Sequence, residues 1–130
     1  MKSSQLSKLQ GAALSAMRIV VALTFATHGS QKLLGFPSGK IVQYASMMGF
    51  AGFLELAGGI LLLLGLYTRP VAFLLSGEMA VAYFTAHAHQ GLWPIVNGGE
   101  RAVLYCFAFL YLSTAGAGPL SLDKILRKTG

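Results

Sequence analysis

Phe50-Ala51-Gly52-Phe53-Leu54-Glu55-Leu56-Ala57-Gly58-Gly59-Ile60-Leu61-Leu62-Leu63-Leu64-Gly65-Leu66-Tyr67 carries a single charged side chain, Glu55. Crossing roughly 30 Å of hydrocarbon takes about 20 mostly apolar residues as a helix, and this run is close to that length. Lipid offers no partner to a backbone N–H or C=O, so a run of this kind has to bond internally as a helix. Three more stretches read the same way: 17–36, closed by Pro37-Ser38-Gly39; 71–89; and 100–115, closed by Gly116-Ala117-Gly118-Pro119. The pattern predicts an all-α integral membrane four-helix bundle, with one domain covering residues 1–130.

Composition supports a lipid solvent. Of 130 residues, 55% are apolar and 11% charged, with a mean hydropathy of +0.63. A soluble domain carries about 25% charged residues. The net charge of +6 does not form a basic surface interleaved with aromatics, which argues against a nucleic-acid partner. Lys2, Lys8 and Arg18 precede or edge the first run, Arg69 lies between the second and third, and Lys124, Arg127 and Lys128 follow the last. The loop from Gln90 to Gly99 has neither Lys nor Arg. By the positive-inside rule both termini are expected on the cytoplasmic side of a bacterial inner membrane, with Lys32 and Lys40 as the outer exceptions. Lone Cys106 cannot form an intrachain disulfide, and the chain has no Cys-x-x-Cys, which argues against thiol–disulfide exchange. The first apolar run continues into His28, Gln31 and Lys32 instead of ending at a small-residue cleavage site, so it reads as a retained helix and not a signal peptide.

Smaller features fill in the picture. Ile41, Tyr44, Ala45 and Met48 fall at helical spacing and predict a short interfacial helix over 40–48. Thr68-Arg69-Pro70 reads as a tight turn, and Trp93-Pro94 suits an interfacial aromatic belt. Gly52 with Gly59, and Gly58 with Gly65, are seven apart and so share faces on which neighbouring helices can approach closely.

The ionisable residues carry the functional signal. The chain has four acidic residues, and Glu55, Glu78 and Glu100 all fall in or at the edge of apolar runs. A charge at mid-helix costs about 2.5–3.5 kcal/mol on insertion scales, so each needs a partner or water. His28, Gln31 and Lys32 share a face of the first helix at spacings of three and four. Glu55 lies early in the second helix, His87 and His89 late in the third, and Glu100 opens the fourth. With Tyr83 and Asn97, these groups are expected near the outer side, with Glu78 deeper. Glu78 and His87, nine residues apart, would point to opposite sides of an unbroken helix, so the third helix is expected to end before His87. The first and second helices echo the third and fourth, His late in one member and Glu early in the next, as in a weak internal duplication.

Several chemistries fit such a cluster. A quinone-like or other small amphiphile needs hydrogen-bond donors and proton carriers, which His28, Gln31, Lys32, Glu55 and Tyr83 supply. Two histidines on neighbouring helices also suit haem, less well supported here. No Glu-x-x-His spacing points to a metal site. The bland alternative is that each Glu pairs with Lys32, Arg101 or a histidine and only fixes helix register. The chain has no nucleophile elbow, Walker loop or dinucleotide fingerprint.

His28-Gly29-Ser30-Gln31-Lys32-Leu33-Leu34-Gly35 resembles the His-Gly-x-Gln-Lys-Leu-x-Gly motif of the DoxX family of small membrane proteins. Glu55-Leu56-Ala57-Gly58-Gly59 and Gly65-Leu66-Tyr67-Thr68-Arg69 resemble its second helix. Gly77-Glu78-Met79, Ala82-Tyr83-Phe84 with His87, and Gly91-Leu92-Trp93-Pro94 resemble its third helix and loop, and Asn97-Gly98-Gly99-Glu100 the opening of its fourth. The resemblance implies a four-helix inner-membrane protein. The family takes its name from the membrane subunit of a thiosulfate:quinone oxidoreductase, so the expectation is a redox-associated protein, as a subunit of a quinone-linked enzyme with a redox partner. A non-enzymatic assembly subunit and a small proton-coupled transporter, which would need a homo-oligomer, are the alternatives.

Overall fold

The computed structural model describes residues 2–126. Arg127 and Lys128, counted above with the basic tail, lie outside the described residues. Among the described residues every regular element is helical: α1 (Ser3–Leu34), α2 (Met47–Leu64), α3 (Thr68–Ala86), a 3-10 turn (Ala88–Gln90), α4 (Pro94–Asn97), α5 (Glu100–Ala115) and α6 (Leu122–Leu126). α1, α2 and the stretch Thr68–Gln90 are long and apolar enough to cross a membrane. α5 covers the residues expected of a fourth span, but its 16 residues make it shorter than the usual crossing helix.

α1 and α2 pack antiparallel. Ala26 faces Gly59, Gly29 faces Gly52 and Leu56, and Lys32 reaches Glu55, so one index falls as the other rises. The close approach depends on the absence of side chains. A Cβ on Gly29 would sit 2.4 Å from the Leu56 backbone nitrogen, and small residues of this kind are what let apolar helices meet. Gly58, on the other glycine face, receives Leu75 of α3. α3 and α5 form the second antiparallel pair: the Ser76 hydroxyl donates to the Cys106 carbonyl at 2.8 Å, while Tyr83 lies against Gly99. Ala22, Phe25, Leu62, Ala72, Leu75, Met79, Phe109 and Leu112 make the shared core. Phe25 meets Phe109 edge-on, with ring centroids 4.8 Å apart. α1 with α2 and α3 with α5 thus form two antiparallel helix pairs.

Three local expectations are corrected. Residues 40–46 form no helix. Val42 donates its N–H to the Lys32 carbonyl at 2.8 Å and the Tyr44 hydroxyl donates to the Leu33 carbonyl at 2.8 Å, so this segment spends its polar groups on the end of α1. The Ser46 hydroxyl then accepts from Gly49 N–H at 3.1 Å and starts α2, as serine does at a helix N-terminus. Thr68-Arg69-Pro70, read as a turn, is the first turn of α3, where proline is tolerated because its missing N–H would have no helical partner. The turn itself is Gly65-Leu66-Tyr67, with Gly65 left-handed at φ 69°.

Arg18, read as a positive charge at the helix edge, is 1% exposed. α1 begins at Ser3, well before the expected span, and the chain returns over this end. Arg18 donates to the Ala117 carbonyl and, at 2.9 Å, to the Leu120 carbonyl. The Ser15 hydroxyl accepts from Leu120 N–H at 3.1 Å. Asp123, also buried, takes the N–H groups of Tyr67 at 2.7 Å and Thr68 at 2.9 Å, an acidic cap on the positive end of α3. Asp123→Ala is therefore expected to lower stability by about 2 kcal/mol, the upper range for a lost helix cap, read as a drop in thermal midpoint in detergent; an unchanged midpoint would show that the cap carries no weight.

Candidate functional site

α1 ends and α2 begins at one end of the packed pairs, and α3 ends and α5 begins at the same end. A cleft of about 140 Å³ opens between them. α1 contributes Phe25, His28 and Lys32, and α2 contributes Glu55. Met79 and Ala82 of α3, with His87 just beyond it, form a second wall. Gly98, Arg101, Ala102 and Tyr105 close the third.

The Lys32–Glu55 pair anchors the cleft. The Lys32 ammonium donates to both Glu55 oxygens at 2.8 Å. Glu55 is 3% exposed and the Lys32 side chain 21% exposed, so this is a bidentate pair whose carboxylate is buried and whose ammonium keeps some access to solvent. Glu78 approaches the Glu55 carboxyl from α3, and one of its oxygens, Oε1, is buried without a hydrogen-bond partner. His28 is half-buried, its ring edge-on to Tyr105 with centroids 5.9 Å apart. The Tyr105 hydroxyl donates to Thr24 Oγ1 at 3.1 Å, and its ring stacks on Phe109. The cleft is thus half aromatic and half ionic, and its polar groups are mostly donors.

The expected early end of α3 is seen at Ala86. His87 leaves helical geometry at φ −124°, ψ −43°, which turns its ring into the cleft instead of to the far side of α3. Asn97 and Tyr83 do not line the cleft. Asn97 is 2% exposed; its amide donates to Tyr83 Oη at 3.1 Å and the Gly91 carbonyl at 3.0 Å, and its Oδ1 accepts from Gly99 N–H at 2.8 Å. These bonds hold the loop between α3 and α5.

Two candidates lie elsewhere. Gln31 turns away and donates to the Ser38 hydroxyl at 3.4 Å. Glu100 is exposed at the first position of α5, and Arg101 takes its expected place in the cleft. The two are successive residues, about 100° apart around a helix, and the sequence reading chose the carboxylate. Tyr105, four residues on and so on the same face, was also missed; the spacing Arg101, Tyr105, Phe109 is the signal that would have found both. Among the described residues no group of three His, Cys, Asp or Glu side chains is placed to hold a metal ion.

Apolar helices long enough to cross a bilayer, joined around a cleft with a buried ion pair, define a multi-pass integral membrane protein. The DoxX family profile matches residues 13–88, and the chain belongs to that family. It is 46% identical over 128 residues to an uncharacterized protein of Haemophilus influenzae, covering 93% of this chain and 96% of that one. It is 28% identical to the inner membrane protein YqjF of Escherichia coli, covering 95% and 98% of the two chains. A third relative, at 26% identity with 86% and 85% covered, is the Bacillus subtilis protein named "Putative oxidoreductase CatD". No solved structure matches the chain significantly. The family, its inner-membrane relatives and the three span-capable helices make this a multi-pass inner-membrane protein.

Proposed function

We propose that the chain is one membrane domain crossing the bilayer four times, with α5 as the short fourth span and both termini cytoplasmic, and that it binds a quinone-like ring in the cleft at its outer end as part of a redox system. The observation that carries this reading is the match between cleft and ring. A cavity of about 150 Å³ holds one benzene, and the cleft, at about 140 Å³, has that size. Phe25, Met79 and Tyr105 offer apolar and aromatic contact to a ring, and His28, Lys32 and Arg101 offer donors to its oxygens. The oxidoreductase in one relative's name supports the redox part of the proposal. In this reading Glu55 holds Lys32 in place, and a partner subunit supplies or removes electrons.

The test is titration of the purified protein in mild detergent with ubiquinone-1, followed by fluorescence quenching. Saturable one-to-one binding is expected. His28→Phe keeps the ring against Tyr105 and removes the hydrogen bond, and should weaken binding about fivefold, the value of one neutral hydrogen bond. No saturable binding by the unaltered protein would sink the proposal and favour a cluster that only holds the helices together.

A further inference from the structure

The hydrogen bond on one edge of His87 settles what its other edge offers. His87 Nδ1 lies 3.2 Å from the backbone carbonyl oxygen of Asn97. A carbonyl oxygen has no proton to give, so Nδ1 must be the donor, and a neutral ring then carries its only proton there. Nε2 is left as a bare acceptor, and among the described residues it has no hydrogen-bond partner. His87 lines the cleft, so this acceptor is offered to whatever the cleft holds.

The arrangement is built and not accidental. Asn97 is 2% exposed and its side chain is bonded to Tyr83, Gly91 and Gly99, so its carbonyl is fixed against the ring. Gly98, left-handed at φ 76°, brings the loop backbone against the same edge, where an added Cβ would lie 3.7 Å from Nδ1. Lys32 and Arg101, elsewhere on the cleft wall, are donors only. The cleft therefore presents acceptor chemistry at His87 and donor chemistry at the two cations.

We propose that His87 is a specificity-determining residue which accepts a hydrogen bond from a ligand hydroxyl, so that the cleft selects the reduced, dihydroxy form of a quinone-like ring over the oxidised form. This rests on the cleft being the ring site. One ligand hydroxyl donates to Nε2, and the oxygen across the ring accepts from Lys32 or Arg101. A quinone instead turns a carbonyl lone pair toward the Nε2 lone pair and leaves both without a proton between them. Asn97 is the positioning residue that fixes the tautomer.

Two measurements test this. Nitrogen-15 NMR of histidine-labelled protein should show one imidazole with a protonated Nδ1 and an unprotonated Nε2, assigned by its loss in His87→Asn. Finding the proton on Nε2 overturns the inference and leaves the ring site standing. Ubiquinol-1 and ubiquinone-1 are then titrated under anaerobic conditions. The unaltered protein should prefer the quinol about tenfold, as expected where a bare acceptor is left unsatisfied. His87→Asn keeps a donor toward the Asn97 carbonyl but presents no acceptor at the Nε2 position. It should bind the quinol about tenfold more weakly and the quinone within about twofold of the unaltered protein. Equal affinities in the unaltered protein, or a preference that survives in His87→Asn, would overturn the inference. If neither form binds, the inference falls together with the ring site.

Discussion

Glu55→Gln is expected to be among the most damaging single substitutions in the chain, costing about 3 kcal/mol or more of stability. Lys32 bonds both carboxylate oxygens at 2.8 Å, and an amide of the same shape keeps one acceptor and loses the charge. The ammonium then loses the one carboxylate it hydrogen-bonds among the described residues. The Lys32 side chain is 21% exposed, and that access to solvent places the loss at the lower end of the about 3–5 kcal/mol seen when a buried pair is broken. A double substitution, Lys32→Met with Glu55→Leu, separates stability from function. Replacing both members of a buried pair with apolar groups is commonly neutral, so this variant should recover the thermal midpoint while losing ring binding. Glu78→Gln is expected to do much less. Its amide keeps a donor toward the Glu55 carboxyl, which Glu78 hydrogen-bonds, and the midpoint should stay unchanged. A Glu55→Gln protein as stable as the original in a detergent melt would show that the pair does not hold α1 to α2.

Gly29→Ala is the second large effect. The added carbon would lie 2.4 Å from the Leu56 nitrogen, 2.6 Å from the Gly52 oxygen and 2.9 Å from the Leu56 Cα. All three are backbone atoms of α2, so no rotamer change relieves the contact and the helices must separate. Overpacking ordinarily costs about 1–3 kcal/mol, and a clash with backbone belongs at or above the top of that range. Separation would also stretch the Lys32–Glu55 pair one turn away, so ring binding should fall together with the midpoint. A detergent melt and a ubiquinone-1 titration of the same variant check both; retention of either would show that α1 and α2 are less closely fitted than their backbones indicate.

Helix existence was legible because lipid leaves the backbone one solution, and long apolar runs announce it. Which face of each helix points inward was not, because core and lipid are equally apolar. Val20 is 60% exposed and Phe73 66% exposed, while Phe25 and Phe109 are buried, and nothing in their side chains distinguishes the two groups. Apart from the glycine faces of α2, which meet α1 and α3, polar residues gave the directional signal, and it worked where spacing grouped them: His28 with Lys32 on α1, facing Glu55. It failed at Glu100, which lies outside the cleft while its exposed neighbour Arg101 lines it.

Boundaries set by distant residues were also hidden. The N-terminus of α3 is capped by Asp123, more than fifty residues away, and no local pattern around Thr68 records that. Arg18 looked like a topology charge because its carbonyl partners, in the segment from Ala117 to Leu120, come close only after the chain has folded back. His87 was placed correctly for a local reason. Nine residues from Glu78, it could join the cluster only if the helix stopped, and Gly91 and Pro94 lay just beyond.

Photolabelling with an azido-substituted quinone, followed by peptide mapping of the labelled residues, tests the ring site most directly. The account predicts saturable labelling within residues 25–32 and 98–105, competed by ubiquinol-1 and lost in the Lys32→Met, Glu55→Leu protein. Labels confined to lipid-facing side chains such as Phe53 and Phe107, uncompeted by ubiquinol-1, would contradict it.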